Sequence, residues 1–165
     1  MFVMIAIRGT GVSGGIAEGP VSIYRRSEPV SGNRQAADPA RELERWKTAS
    51  KKAAAELDAL VEKTRAEIGE EAAGLFETYR MILEDLNFVS RIEKLITSEK
   101  YSAENAVDAV GKEYSEMFAA MDDAYMRARS VDVTDISNRV IAVLSGGSSG
   151  TVLEKPSVLL ADDLT

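Results

Sequence analysis

Residues 38–68 carry the stretch that decides the fold class, DPARELERWKTASKKAAAELDALVEKTRAEI. Asp38 and Pro39 mark a helix start, because an aspartate side chain caps free N–H groups and proline suits the first helical position. Beyond them, apolar and small residues recur at alternating spacings of four and three, a heptad-like seam that predicts packing against other helices. The seam comprises Trp46, Ser50, Ala53, Leu57, Leu60 and Thr64. The sequence therefore predicts one long helix that ends near Ile68.

A second helix is predicted directly after Gly69, because the acidic pair Glu70 and Glu71 favours a helix N-terminus. Its apolar residues are Leu75, Phe76, Tyr79, Ile82 and Leu83. Either Asp85 or Asn87 can cap a shorter continuation of this helix. The apolar residues of the continuation are Val89, Ile92, Leu95 and Ile96.

Two more helices are predicted further along the chain. Ser102, with Asn105 three residues later, resembles a capping box and begins a third long helix. The seam of this helix comprises Val107, Val110, Tyr114, Met117 and Met121. Asp132 is predicted to cap a fourth helix, which ends at the Ser145–Gly147 turn. We expect the long helices to form two antiparallel pairs with buried seams.

Short strand-like segments flank the helical block. Phe2–Ile7 is an apolar run, Pro20–Tyr24 alternates in polarity, and Ser157–Ala161 is again rich in β-forming residues. The order of elements predicts an α+β fold that is mostly α, in which a helical subdomain is inserted in an α/β subdomain.

The expected domain bounds follow from this order. Residues 31–145 form a four-helix subdomain of helical hairpins, and residues 1–30 and 146–165 form the α/β subdomain. Three short strands without covering elements bury little surface, and no closing element follows the last strand. We therefore expect the α/β subdomain to be incomplete and the chain to be a piece of a longer protein.

The glycine-rich stretch GTGVSGGIAEGP, residues 9–20, allows two interpretations. Its letters match the G-x-G-x-x-G of dinucleotide-binding loops, and Glu28 falls near the expected acidic position. That loop, however, must open a helix, and Gly19 and Pro20 leave no room for one before the next strand. A tight link between two strands is therefore the favoured reading.

Composition excludes several classes of function. The chain has 165 residues and no cysteine, which rules out disulfides and thiolate chemistry, and no histidine, which rules out an imidazole base or phosphoryl acceptor. A net charge of −7 disfavours nucleic acids and anionic membranes and suits a basic protein partner. The opening MFVMIAI is too short to span a membrane and lacks a basic leader, so we expect a cytoplasmic protein.

Several large apolar residues lie off the helical seams. Met81 and Ile82 adjoin Leu83 on the second helix, and Phe118 and Tyr125 lie beside the third seam. Apolar residues outside the packing seam are candidates for a docking surface. The acidic pairs at 70–71 and 122–123 are expected to be caps or solvated surface, since a metal would need further ligands that the sequence does not identify.

Four segments of the chain, taken together, match one known family. They are GTGVSGGIAEGP (9–20), GEEAAGLFETYRMILED (69–85), MDDAYMRARSVDVTDISNRV (121–140) and SVLLADDLT (157–165). In this order they resemble motifs of Enzyme I of the sugar phosphotransferase system, a phosphoenolpyruvate-protein phosphotransferase. The likeness extends over the whole chain and covers the helical part of that family's N-terminal domain.

The resemblance implies a mechanism. Enzyme I transfers a phosphoryl group from phosphoenolpyruvate to its own histidine, with magnesium and a C-terminal barrel that binds the substrate, and then to the carrier protein HPr. Its phosphohistidine motif would lie beyond Thr165, which places Thr165 near the phosphohistidine of the α/β, swivelling subdomain. The chain alone is then expected to bind HPr but to hold no catalytic residue, metal or cofactor, and to be inactive. A helical interaction scaffold without a role in phosphotransfer is the alternative.

The resemblance also implies which residues bind HPr. They lie on the second helix, its continuation and the third helix: Glu70, Glu71, Met81, Ile82, Glu84, Asp85, Phe118, Met121, Tyr125 and Arg129. The chain departs from the family at Thr134, where a basic residue is common, so a salt bridge from this position to Asp132 is not expected. The resemblance does not distinguish a sugar-transport parent from a nitrogen-regulatory or a fused multi-phosphoryl one.

Overall fold

A computed structural model describes residues 9–11, 14–24, 36–146 and 156–161 of the chain. In this part of the chain, the helical residues and the strand residues belong to two compact units. The helical unit contains α1 (Pro39–Glu67), α2 (Glu70–Glu84), α3 (Leu86–Glu99), α4 (Ala103–Ala119) and α5 (Ala124–Leu144). The other unit contains β1 (Val21–Tyr24) and β2 (Val158–Ala161). The α+β, mostly helical fold predicted from the sequence is confirmed.

Side-chain caps fix where most of the helices begin. Asp38 accepts hydrogen bonds from the amides of Ala40 and Arg41 at 3.0 and 3.1 Å, with Pro39 at the first helical position of α1. Ser102 caps α4 and accepts bonds from both the amide and the side chain of Asn105. These two predicted starts are confirmed. The end of α1 is confirmed as well, because Ile68 lies just past its last residue.

The helices pack as two antiparallel hairpins with α3 beside them. α1 pairs most extensively with α2, and α4 with α5. The α1–α2 turn needs only two residues because Gly69 adopts a φ of 130°, in the left-handed region that favours glycine. The predicted antiparallel helix pairs are thus observed.

The core of the helical unit draws on all five helices. Its largest fully buried side chains are Trp46, Phe88, Leu57, Leu83, Ile92, Ile96, Ile136, Val107, Val110, Val133 and Val140. The seam predicted for α1 is largely confirmed, since Trp46, Ala53 and Leu57 are at most 1% exposed. Ser50 and Leu60 are half-buried and lie at the margin of this core.

Two helix predictions were wrong. The fourth long helix begins at Ala124 rather than after Asp132, because Asp123 accepts a bond from the amide of Met126 at 2.9 Å and caps the helix two turns earlier. Asp132 lies inside α5 and pairs with Arg129 at 2.8 Å. The α4 seam is buried only in its first half: Val107 and Val110 are fully buried, whereas Met117 is 46% exposed.

The strand unit contains a parallel pair. β1 pairs with β2 in the register Val21↔Val158, as expected for strands joined by a long crossover. Residues 14–20, before β1, form no helix, so the described part of the glycine stretch lacks the helix that a dinucleotide-binding loop requires. The strand predicted at Phe2–Ile7, the loop after Gly146 and Thr165 lie outside the described residues.

Candidate docking site on the helical unit

A groove of about 590 Å³ opens between the end of α2, the start of α3 and the C-terminal half of α4. Its lining is mostly apolar and comprises Met81, Ile82, Asp85, Asn87, Phe88, Tyr114, Met117 and Phe118. We call this feature the α2–α4 groove.

Aromatic packing builds the floor of the α2–α4 groove. Phe88 is 1% exposed, and its ring meets that of Tyr114 edge to face, with centroids 5.3 Å apart and planes at 84°. Burial is the main cause that raises the pKa of the Tyr114 hydroxyl, which therefore stays protonated and neutral near pH 7. The floor is thus aromatic, uncharged and continuous with the core.

Two methionines form the lip of the groove. Met81 is 73% exposed and Met117 is 46% exposed, although both are apolar. Ile82 and Phe118 lie between the lip and the floor and are half-buried against the core. Flexible, polarisable methionine side chains at the edge of an apolar groove suit a protein surface that adapts to a partner.

Asp85 fixes the bend between α2 and α3. Its carboxylate accepts hydrogen bonds of 2.9 Å from the amides of Asn87 and Phe88, which confirms it as the cap of the predicted continuation. The same bonds hold Phe88 at the floor of the groove. Asp85 therefore has a structural role in shaping the groove, besides any contact it makes with a partner.

Carboxylates and paired cations surround the groove. Glu84 is exposed and pairs with Arg80 at 2.5 Å, and Arg80 also donates to Asp58 at 3.0 Å. On the other side, Arg91 donates to Glu113 at 3.1 Å. Arg91 also lies 3.7 Å from Glu99, so each of these two arginines is paired with two carboxylates and each ion-pair cluster carries a net negative charge.

A polar cluster lies beside the groove, one helical turn closer to the start of α2. Thr78, four residues before Ile82, accepts a bond of 3.1 Å from the guanidinium of Arg129 on α5. That guanidinium lies over the ring of Tyr125, 4.4 Å from its centroid, and also donates to the Tyr125 hydroxyl. We call Thr78, Tyr125, Arg129 and Asp132 the Arg129 cluster.

The structure brings together some of the ten residues that the resemblance singled out. Met81, Ile82, Asp85 and Phe118 line one groove. Tyr125 and Arg129 lie in the Arg129 cluster, which shares α2 with the groove. Met121 is half-buried in the short α4–α5 turn, where its carbonyl accepts a bond of 3.0 Å from Arg127.

The remaining acidic residues lie at opposite ends of α2. Glu84 is at the groove end of α2, whereas Glu70 and Glu71 are at its start, roughly 16 Å from Met81 along the helix axis at 1.5 Å per residue. Glu70 pairs with Arg65 at 2.8 Å, and that arginine also contacts Glu62 and Glu77. Glu70 therefore already has an intramolecular partner at the α1–α2 turn.

Sequence reasoning missed four residues of the groove as site residues: Asn87, Phe88, Tyr114 and Met117. Tyr114 and Met117 follow the α4 seam, which predicted burial in a helix pair instead of a groove. Phe88 directly follows the Asp85–Asn87 cap region. The sequence signal that could have indicated a site residue here was an aromatic side chain in the first turn of a helix. No sequence pattern marks Asn87 as a groove residue.

Two negative findings concern the described part of the chain. Within residues 9–11, 14–24, 36–146 and 156–161, no group of three or more aspartates or glutamates has a geometry that could hold a metal ion. Among these same residues, no helix is both long and apolar enough to cross a membrane.

Comparisons with known proteins place this geometry among relatives. The family model described as PEP-utilising enzyme, N-terminal, matches residues 8–129. Over 96% of its length the chain is similar to the phosphoenolpyruvate-protein phosphotransferases of Geobacillus stearothermophilus, at 33% identity, and of Priestia megaterium, at 32%. The chain spans 28% of the length of these curated relatives.

A solved structure supports the same relationship. The solution structure titled Enzyme I (nEIt) superposes with a TM-score of 0.74 at 28% identity, over 89% of this chain and 61% of that one. The fold likeness therefore extends over most of the chain.

Proposed function

The chain belongs to the family of N-terminal regions of PEP-utilising enzymes, and from this premise we propose that its helical unit docks the phosphocarrier protein HPr on behalf of an Enzyme I-like phosphotransferase. In this proposal the α2–α4 groove is the apolar centre of the docking face. Tyr125 and Arg129 of α5 extend the face beside the middle of α2, where Arg129 contacts Thr78. Glu70, Glu71 and Glu84 supply negative charge around it. Asp85 and Met121 shape the two turns that border it.

One observation carries the proposal: an open apolar groove lies on the helical unit and is surrounded by carboxylates whose neighbouring arginines are already paired. Apolar contact at the centre of an interface supplies affinity, while complementary charge at its rim speeds association. The family resemblance implies a carrier whose active histidine is ringed by basic and apolar residues. Such a surface complements this groove in both respects.

In this proposal, the residues that carry out phosphoryl transfer belong to other parts of the full protein. The chain contains no histidine, so in this proposal the phosphorylated histidine, the magnesium site and the phosphoenolpyruvate-binding barrel belong to other parts of the parent. Residues 31–145 would form the docking subdomain, and residues 1–30 and 146–165 would contribute to the subdomain that carries the histidine. The parent would serve sugar uptake, nitrogen regulation or a fused relay.

The location of the docking face can be mapped directly. Adding unlabelled cognate HPr, the HPr protein of the same organism, to isotope-labelled chain should shift the amide signals of residues 81–88, 114–118 and 125–129 most strongly. A second depression, of about 400 Å³, lies at the start of α1 and the end of α5 and is lined in part by Arg41, Arg45 and Lys52. Amide shifts centred there would contradict the proposal.

A helical scaffold with no role in phosphotransfer is the competing function. It would account for the helix seams but gives no reason for the matched segments at 9–20 and 157–165. A scaffold predicts no amide shifts with HPr at any position, which the same experiment would reveal.

A further inference from the structure

The two most exposed methionines in the described part of the chain lie at the same place, the lip of the α2–α4 groove. Met81 of α2 is 73% exposed and Met117 of α4 is 46% exposed. The other two methionines among the described residues, Met121 and Met126, are half-buried. The chain contains no cysteine, so methionine thioethers are its only sulfur groups. A dissolved oxidant that attacks sulfur therefore has its easiest access at the groove.

A methionine thioether is oxidised by peroxides to methionine sulfoxide. The lone pair on sulfur attacks one oxygen of hydrogen peroxide, so that an S–O bond forms as the O–O bond breaks. The departing hydroxide takes the proton of the transferred oxygen and leaves as water. Sulfur loses two electrons and the peroxide gains them. The reaction needs no further reactant, and it is reversed by methionine sulfoxide reductases.

Oxidation would change the character of the groove at its edge. A sulfoxide carries a strong hydrogen-bond acceptor where the thioether is apolar. Of the eight side chains that line the groove, only those of Asn87 and Tyr114 carry a hydrogen-bond donor. A protein that covers the lip would therefore remove sulfoxide oxygens from water with few donors to replace it, which costs binding free energy.

We propose that Met81 and Met117 are a redox-sensitive modification site, at which oxidation by a peroxide weakens docking to the α2–α4 groove until a sulfoxide reductase restores the thioethers. This inference rests on the docking function proposed above. It places the control of docking in two side chains on different helices, α2 and α4, that share one groove. A docked carrier that covers the lip would in turn protect both methionines from the oxidant, because coupling between two events acts equally in both directions.

The order of oxidation is measured first. The chain is treated with limiting hydrogen peroxide, and peptide mass spectrometry follows each methionine separately. Because the reagent arrives from water, Met81 and Met117 should react at least about threefold faster than Met121 and Met126. Saturating cognate HPr should slow the reaction of Met81 and Met117 at least about fivefold and leave that of Met126 unchanged.

The effect on docking is measured with chain that has been oxidised alone and freed of peroxide, so that HPr itself is never oxidised. Its affinity for cognate HPr should fall on the order of tenfold, the effect of burying poorly paired polar oxygens in an apolar contact. Treatment with reductases specific for each of the two sulfoxide epimers should restore the affinity. Because both side chains are exposed, the melting temperature should move by no more than about 2 °C.

Two variants assign the effect to the groove. Met81→Leu/Met117→Leu keeps apolar side chains at the lip but removes both sulfurs. Whatever its own starting affinity, peroxide should change that affinity less than about twofold, since no sulfoxide can form at the lip. Met126→Leu is the matched control, because it removes a half-buried methionine of α5 that does not line the groove. This control should lose affinity on oxidation as the wild-type chain does.

The inference stands if Met81 and Met117 react first, if their oxidation weakens binding reversibly and if the double leucine variant resists. It is overturned if the half-buried methionines react as fast, or if the doubly oxidised chain binds as tightly as before. Equal loss of affinity in the double leucine variant, or a loss accompanied by a larger fall in melting temperature, would overturn it as well. Failure of the untreated chain to bind HPr would instead refute the proposed function.

Discussion

Gly111 of α4 lies so close to Ser137 of α5 that a β-carbon built on the glycine would be 2.8 Å from the Cβ of the serine. Ser137 is buried and its hydroxyl donates a bond of 2.7 Å to the carbonyl of Val133, so the serine has little room to move away. The missing side chain at position 111 therefore sets how closely α4 and α5 pack. The same α4 carries Tyr114 and Met117 into the groove.

Gly111→Ala should lower the free energy of unfolding by about 1–3 kcal/mol, because overpacking outweighs the roughly 1 kcal/mol that alanine gains in a helix. Gly74→Ala is the matched control, since a β-carbon there would meet nothing within 4 Å in the middle of α2. The control should be neutral or stabilising. Urea denaturation of both variants measures the difference, and an equal gain in stability for the two would contradict the observed packing.

The stability of the chain should fall at alkaline pH through Tyr79. Burial first, and the nearby charge of Asp135 second, raise the pKa of Tyr79 above its ordinary value of 10.0. Above about pH 10 the unfolded state therefore releases a proton that the folded state keeps, so rising pH favours unfolding. Tyr79→Phe should cost about 1 kcal/mol near pH 7, through the lost hydrogen bond, but its stability should fall less steeply above pH 10. Denaturation at several pH values tests this, and an unchanged slope would contradict it.

Much of the fold could be predicted because its determinants are local. Asp38, Asp85 and Ser102 cap helices through bonds to amides only two or three residues away, so the sequence alone displays them. The α1 seam could also be predicted from the sequence, because a long helix packed against other helices buries one continuous stripe of apolar residues. The start of α5 was misassigned because Asp123 and Asp132 are both acceptable caps, and only the packed structure selects between them.

The groove was harder to predict because it depends on where packing stops. Met117 follows the α4 seam and looks like a core residue, yet the neighbouring helices leave it at the lip of the groove. The Arg129 cluster joins Thr78 to a residue 51 positions away, a pairing that no local pattern reveals. Such features depend on tertiary contacts between helices, which spacing along the sequence does not encode.

The charge of the groove rim should act mainly on association rate. Glu84→Lys places a cation where the proposal requires negative charge, so binding of HPr should slow and lose part of its salt dependence. Glu44→Lys makes the same charge change on α1 and serves as the control. Its sequence neighbour, Arg45, contacts Glu104 in the first turn of α4, at the opposite end of that helix from the groove. Stopped-flow measurements at low and moderate salt compare the association rate constants of the two variants with HPr. Equal slowing by both variants would show a general charge effect unrelated to the groove.

The chain should not become phosphorylated when it is incubated with phosphoenolpyruvate and magnesium. It contains no histidine, and the proposed mechanism stores the phosphoryl group on a histidine. Radiolabelled phosphoenolpyruvate followed by separation under alkaline conditions, which preserve phosphohistidine, provides the measurement. An acid-labile phosphoryl group on the purified chain would contradict the assignment of the chemistry to other parts of the protein.

The most direct test of the central claim is a calorimetric titration of the chain with cognate HPr, using Phe118→Ala and Phe76→Ala. Both phenylalanines are half-buried against the core, but only Phe118 lines the groove, whereas Phe76 packs edge to face on Tyr79 with centroids 6.2 Å apart. If the α2–α4 groove docks the carrier, Phe118→Ala should weaken binding by about 1–3 kcal/mol and Phe76→Ala by less than about 0.5 kcal/mol. Absence of binding by the wild-type chain at millimolar HPr, or equal weakening by the two variants, would contradict the claim.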